Sequence, residues 1–149
     1  MPNASIKKII PCKKTDLIRM IMDIEKYPEF VPWCLNGKIH KKDEMEDMVE
    51  MEADLTVGKN FLNQTYKSHV TYYKYKDKIL VNNIGGPLKH LKNEWLIKEI
   101  NNQSEVTFKI DFEIKNIFYN MIMKKSFDQG LKKIADAFEK RAIKLFNKT

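Results

Sequence analysis

The sequence predicts an α+β fold, in which a curved antiparallel sheet of about six to seven strands wraps around one long C-terminal helix. Two patterns predict it. Apolar and polar residues alternate with a period of two through much of the middle of the chain, and the last thirty or so residues follow a helical period. The runs with period two are joined by short polar or glycine-containing segments, so neighbouring strands must be antiparallel.

The strands are clearest at residues 49–57 and 106–114. In the first run Val49, Met51 and Ala53 alternate with acidic residues, and in the second run apolar residues alternate with polar or charged ones without an error. Residues 61–75, 78–84 and 91–100 are rich in aromatic and β-branched side chains and predict further strands. Turns are expected at 58–60, 75–77, 85–87 and 101–104.

The N-terminal region predicts a strand at 5–12 and a helix over about 15–24, with Thr15 as its N-cap. Pro28 and Pro32 then forbid a long helix over 27–33, and we expect one or two helical turns there.

The long helix is expected over about 117–146. One face is apolar and the opposite face is rich in lysine. The apolar stripe consists of Phe127, Leu131, Ile134, Phe138, Ala142 and Leu145.

With 149 residues and no linker or repeat, the chain is expected to form a single domain over 1–149. No apolar stretch approaches the ~20 residues of a membrane span, and residues 1–14 lack the apolar core of a signal peptide. We therefore expect a soluble, intracellular protein whose two cysteines, Cys12 and Cys34, are reduced.

The net charge of +7 is concentrated near the C-terminus, where residues 115–149 hold nine basic and three acidic residues, a net of +6. Basic residues are almost all lysine, which argues against an arginine-based phosphate reader, and we expect no DNA partner. The three histidines have no metal-ligand spacing, and no nucleophile elbow, P-loop or dinucleotide motif occurs. We expect neither a metal site nor a catalytic residue.

Aromatic residues of the kind found in cores are abundant, and they have two interpretations. They fill a packed core, or they line a cavity for an apolar ligand between the sheet and the helix. Gln64, Ser68 and Asn93 share the inward parity of their strands. Unpaired in a dry core, each would cost about 1–3 kcal/mol, whereas in a ligand cavity they can meet a carbonyl group or water.

Residues 117–125 place large apolar side chains between lysines. This composition suits a membrane-surface contact or a mobile gate, and it equally suits the start of a helix packed against the sheet.

Six motifs occur in order along residues 5–146. They are YPEFVPWC (27–34), ADLTVG (53–58), YxSxV (66–70), GPLxxLxxxW (86–95), the strand 108–112 and AFExRA (137–142). Together they resemble the START-like coenzyme Q-binding family, which includes bacterial ribosome-association toxins and is similar to polyketide cyclases. The resemblance implies the helix-grip fold, with a hydrophobic tunnel between the sheet and the C-terminal helix.

The resemblance further implies a non-catalytic protein that binds ubiquinone, or a similar lipid, as a carrier for respiration and quinone biosynthesis. Ubiquinone would be a bound ligand and not a catalytic cofactor. The implied tunnel residues are Tyr27, Phe30, Pro32 and Trp33 at the mouth; Tyr66, Ser68, Val70, Leu91, Trp95 and Phe112 in the wall; and Phe127 and Leu131 on the helix. The chain departs from the family pattern at Lys59, where phenylalanine is usual, and at Gln64, where an acidic residue is common.

Two alternatives remain. One is a toxin-like factor that binds the large ribosomal subunit and blocks subunit association, which the basic C-terminal region would favour. The other is a cyclase or aromatase working in the same cavity, although the sequence shows no acid–base pair for it. Localisation is expected to be cytoplasmic, with transient contact to the inner membrane.

Overall fold

A computed structural model describes residues 3–59, 62–85, 88–114 and 117–146 of the chain. Within these ranges, side chains are described for 5–58, 64–85, 90–111 and 129–146.

The described residues form seven strands, two α-helices and one short 3-10 helix. In order, these are β1 (Asn3–Ile10), α1 (Lys14–Met22), the 3-10 helix (Ile24–Glu29), β2 (Cys34–Glu44), β3 (Met48–Lys59), β4 (Leu62–Tyr73), β5 (Lys78–Gly85), β6 (Leu88–Ile100), β7 (Gln103–Ile114) and α2 (Ile117–Phe146). The predicted α+β class and the C-terminal helix are confirmed.

All seven strands belong to one antiparallel sheet with the order β1-β7-β6-β5-β4-β3-β2. Strands β2 to β6 each pair with the next strand along the chain, and the four predicted turns join β3 to β7. Strand β2 was not predicted from the sequence. Only β1 pairs with a strand distant in sequence, since Ile6 lies opposite Phe108 of β7. Strands β1 and β2 are therefore the two edges of the sheet.

The core lies between the inner face of this sheet and the helices. Met51 and Ala53 of β3, Ile79 of β5 and Ile97 of β6 are buried there, and in β3 they alternate with the acidic residues Glu50, Glu52 and Asp54. Leu17 of α1 is fully buried in the same cluster. Period two thus identifies the inward face correctly.

The start of α1 differs from the prediction. The N-cap is Lys13, which makes no side-chain cap hydrogen bond, and Thr15 is an exposed residue inside the helix. Instead, the backbone N–H of Lys14 donates to Glu99 Oε1 of β6 at 2.9 Å. A carboxylate from a distant strand therefore accepts a hydrogen bond at the start of α1, the role that the sequence assigns to the hydroxyl of Thr15.

Helix α2 buries Leu131, Phe138 and Ala142 and exposes Lys132, Lys133, Lys140 and Lys144, as its amphipathic pattern predicts. Leu145 is an exception, because it is 41% exposed and the apolar stripe ends before it. The side chain of Phe127 lies outside the described residues. Among the helices in the described ranges, none has the length and apolarity to cross a membrane.

Candidate functional site

An apolar cleft of about 30 Å³ lies between α2 and the inner face of the sheet at β1, β6 and β7. It is lined by Ile6, Lys8 and Ile10 of β1, by Trp95, Val106 and Phe108 of β6 and β7, and by Leu131, Ile134, Ala135 and Phe138 of α2. A volume of this size holds one or two water molecules and is far too small for a lipid. A ligand larger than this must widen the cleft.

Phe138 of α2 is the centre of an aromatic cluster beside the cleft. Its ring centroid lies 5.2 Å from that of Trp95, 5.1 Å from Phe30 and 5.5 Å from Tyr27. All three contacts are edge-to-face, the arrangement that aromatic quadrupoles favour. Trp95 makes one more such contact, at 4.7 Å, with Phe108. The cluster joins the sheet, α2 and the 3-10 helix.

Tyr27 and Phe30, expected at the mouth of a tunnel, both pack into this cluster. The Tyr27 hydroxyl donates a hydrogen bond to the backbone oxygen of Ile21 at the end of α1. Burial raises the pKa of Tyr27 above its ordinary range, so the ring is a neutral phenol at physiological pH. These two residues hold the 3-10 helix against α2.

Trp33 contacts both β3 and α2. Its backbone oxygen accepts a hydrogen bond from the N–H of Gly58 near the end of β3 at 2.9 Å. A Cβ atom added to Gly130 of α2 would lie 3.7 Å from the indole ring, so the ring rests on this glycine. The Nζ of Lys133 stands 5.9 Å from the ring centroid. Pro32, beside Trp33, is half-buried.

The remaining implied tunnel residues lie in several places. Trp95 and Leu131 line the cleft itself. Val70 is buried on the inner face of β4, whereas Tyr66, Ser68 and Leu91 are half-buried and contribute nothing to the cleft among the described residues. Burial raises the pKa of Tyr66. Phe112 pairs with Leu91 in the sheet, but its side chain, like that of Phe127, lies outside the described residues.

Of the polar residues with inward parity, Asn93 is already hydrogen-bonded within the protein and Gln64 does not point into the core. Asn93 is buried, and its side-chain nitrogen donates to the backbone oxygen of Lys109 at 3.0 Å. Its side-chain oxygen accepts from Trp95 Nε1 at 2.8 Å. Gln64 is exposed. Asn93 therefore fixes the indole of Trp95 in the wall of the cleft.

Sequence reasoning missed Lys8, the one charged residue among the ten that line the cleft. Its ammonium group contacts Asp136 Oδ1 at 2.6 Å and Glu139 Oε1 at 3.1 Å, both on α2. The hydrogen bond to Asp136 is the main reason why the pKa of Lys8 is raised above its ordinary value. The parity that Lys8 shares with Ile6 and Ile10 could have placed it on the inner face.

The described cysteines and the His40–Asp54 pair are poorly suited to catalysis in the cleft. Burial raises the pKa of the Cys12 thiol to about 11 and also raises that of Cys34, so both thiols stay protonated and are poor nucleophiles near neutral pH. His40 and Asp54 approach to 2.6 Å, but Asp54 is on the outer face of the sheet, opposite in parity to the buried Ala53. No three histidine, cysteine or acidic residues of the described ranges are grouped to hold a metal ion.

Comparison with known proteins agrees with this architecture. Residues 16–139 match the family described as polyketide cyclase/dehydrase and lipid transport. A ribosome association toxin of Rickettsia prowazekii is 29% identical over 138 residues, which cover 91% of this chain and 92% of that protein. A mitochondrial coenzyme Q-binding protein of Dictyostelium discoideum is 32% identical over 130 residues, or 85% of this chain, and the chain spans 62% of its length.

Solved structures share the fold over nearly the whole chain. An 18 kDa protein of Caulobacter crescentus superposes with a TM-score of 0.80 at 26% identity, covering 97% of this chain and 98% of its own. A START superfamily protein of Mycobacterium smegmatis gives 0.80 at 18% identity, covering 96% of this chain and 98% of its own. The seven-stranded sheet around a C-terminal helix is thus a START-like fold, and the chain belongs to the polyketide cyclase/dehydrase and lipid transport family.

Proposed function

We propose that this protein binds ubiquinone, or a similar isoprenoid lipid, between its sheet and α2, and acts as a non-catalytic carrier for respiration and quinone biosynthesis. The observation that carries the proposal is the apolar cleft beside Trp95 and Phe138, set in a fold whose named relatives include a coenzyme Q-binding protein. An apolar wall of this kind favours hydrocarbon over water.

Ligand entry requires α2 to move relative to the sheet, because the cleft of about 30 Å³ cannot hold an isoprenoid unit. The wall on the α2 side is well suited to such adjustment. Ala135 presents only a methyl group, and Leu131 and Ile134 present aliphatic side chains without polar atoms.

Non-catalytic binding also agrees with the charge state of four side chains, of which Lys8 lines the cleft. The phenol of Tyr27 and both thiols are held neutral, and Lys8 is neutralised by two carboxylates. An aromatase/cyclase of Streptomyces has the same fold with a TM-score of 0.79, but at 11% identity that similarity concerns the fold alone.

A second candidate function is binding to the large ribosomal subunit, in the manner that the name of the Rickettsia toxin indicates. Its support in this chain is the exposed lysine face of α2, formed by Lys132, Lys133, Lys140 and Lys144. Such a face attracts phosphate-rich RNA, and it equally attracts anionic lipid.

For the carrier function, we propose a location in the cytoplasm with transient contact to the inner membrane through residues 117–125.

The decisive experiment is to purify the protein from a host that makes ubiquinone and to identify bound lipid by native mass spectrometry and solvent extraction. We expect close to one quinone per chain. The substitution Ala135→Leu fills the cleft and is expected to reduce bound quinone at least about tenfold, since overfilled cavities resist repacking.

Ala137→Leu is the matched control, because Ala137 is a half-buried alanine of the same helix that does not line the cleft. It is expected to keep its quinone. If the folded native protein carries no lipid and refuses added ubiquinone, the carrier function is wrong, and salt-sensitive cosedimentation with large ribosomal subunits becomes the next test.

A further inference from the structure

The cleft has one wall that is an edge of the sheet. Ile6, Lys8 and Ile10 of β1 form this wall, and β1 is hydrogen-bonded to a neighbouring strand on one side only, by β7. From its inner face, these side chains meet Leu131, Ile134 and Ala135 of α2 across the cleft. The seam between β1 and α2 is therefore closed by side chains and not by a ladder of backbone hydrogen bonds.

Lys8 bridges this seam. Its stem lies along the cleft, while its ammonium group reaches Asp136 and Glu139, which follow Ala135 within about one turn of α2. The three side chains remain partly exposed, at 25%, 39% and 32%. Ion pairs in such positions are screened by solvent and salt, so they hold the seam closed without fixing it permanently.

A second bridge to α2 has a different character. Arg141 donates to Glu29 of the 3-10 helix at 2.8 Å, and its guanidinium group lies 5.0 Å from the ring centroid of Phe30. Beneath it the rings of Tyr27, Phe30 and Phe138 are packed against one another. On that side of α2 the bridge covers a filled core, whereas Lys8 covers a cleft.

We propose that the seam between β1 and α2 is a lateral portal through which an apolar ligand enters the cleft, and that Lys8, Asp136 and Glu139 form the latch that closes it. The portal rests on the proposed function, since it requires a ligand in the cleft. The latch controls the rates of entry and exit, and it affects affinity little, because the ion pairs can form again over a bound ligand.

The test measures binding of a short-chain ubiquinone by stopped-flow quenching of tryptophan fluorescence, since Trp95 lines the cleft. The substitution Lys8→Met keeps the apolar stem and removes the charge. We expect it to raise the entry and exit rates together, by about three- to fivefold, and to leave the equilibrium dissociation constant nearly unchanged. High salt is expected to accelerate the native protein and not the variant.

Lys7→Met is the matched control. Lys7 is the neighbouring residue on the outer face of β1, and it pairs with Glu105 of β7 at 3.6 Å, away from α2. Its rates are expected to equal those of the native protein. The double substitution Asp136→Asn with Glu139→Gln removes the latch from the α2 side and is expected to reproduce Lys8→Met, which covers the case in which the β1 variant folds poorly.

The outcomes separate the two proposals. Binding by the native protein with unchanged rates in both latch variants would overturn the portal and leave the carrier function standing. An absence of binding by the native protein would overturn both. A loss of affinity in Lys8→Met without faster exchange would show that Lys8 holds the ligand, and the latch would be wrong.

Discussion

The two sides of α2 differ in how completely they are packed. Toward the 3-10 helix, Phe138 meets Tyr27 and Phe30 in edge-to-face contacts, and little space remains. Toward β1, Leu131, Ile134 and Ala135 face a cleft. Flat rings at right angles fill space well, whereas a methyl group and branched chains facing an edge strand do not. One helix is therefore anchored by ring contacts on one side and borders a cleft on the other.

The largest expected effect is that of Phe138→Ala, which removes the centre of the aromatic cluster. The ring is buried and touches three others, so the free energy of unfolding should fall by about 3–5 kcal/mol in urea denaturation. Ile134→Ala, a half-buried residue beside the cleft, should cost clearly less. Equal costs would mean that both sides of α2 are packed alike, and the contrast would be lost.

A smaller loss of stability is expected from Gly37→Ala, which pushes the 3-10 helix away from β2. A Cβ at this position would lie 2.3 Å from the backbone oxygen of Ile24, the first residue of the 3-10 helix that carries Tyr27. The helix must shift, and overpacking of this kind costs roughly 1–3 kcal/mol. Urea denaturation measures the loss, and near-UV circular dichroism should show loosened aromatic rings.

Gly85→Ala is the control for that substitution, since the nearest atom to its added Cβ is Lys67 Cβ at 3.6 Å, an ordinary contact. It should leave stability nearly unchanged. If Gly37→Ala is as harmless as Gly85→Ala, the 3-10 helix is not held tightly against β2, and the anchor is weaker than the packing indicates.

The smallest effect, and one of opposite sign, is expected from Gly130→Ala. Glycine within a helix is less stable than alanine by about 0.5–1 kcal/mol, and the added Cβ would rest 3.7 Å from the Trp33 ring without a clash. The midpoint of thermal unfolding should rise. A decrease would show that the Trp33 ring has no room for the added methyl group. Helix α2 would then be closely packed against Trp33 as well.

Some features of the cleft were predictable from sequence and others were not. The parity of β6 and the stripe of α2 place Trp95 and Leu131 on inward faces, and both line the cleft. The same parity places Asn93 inward, but it cannot say that Lys109 and Trp95 already use its hydrogen-bonding groups. Hydrogen-bond partners across strands depend on register, which periodicity leaves open.

Tyr27 shows a different limit. The family resemblance implied a place at the mouth of a tunnel, and the structure packs its ring against Phe138, more than a hundred residues away in the chain. The direction of a side chain on a short 3-10 helix depends on how that helix docks. Here the close approach of Gly37 to Ile24 and the hydrogen bond to Ile21 decide it.

By itself, the sequence determined strands β1 and β3 to β7, the inward residues of most of them and the amphipathic helix at the C-terminus, because each follows from local periodicity and short connections. It missed β2, which has no regular alternation of apolar and polar residues. Only the tertiary structure decided which side of α2 is filled and which is open. The bridge between Lys8 and Asp136 joins residues separated by 128 positions. Such contacts depend on where α2 crosses the sheet and on which strand lies at its edge, and no local pattern in the chain encodes either.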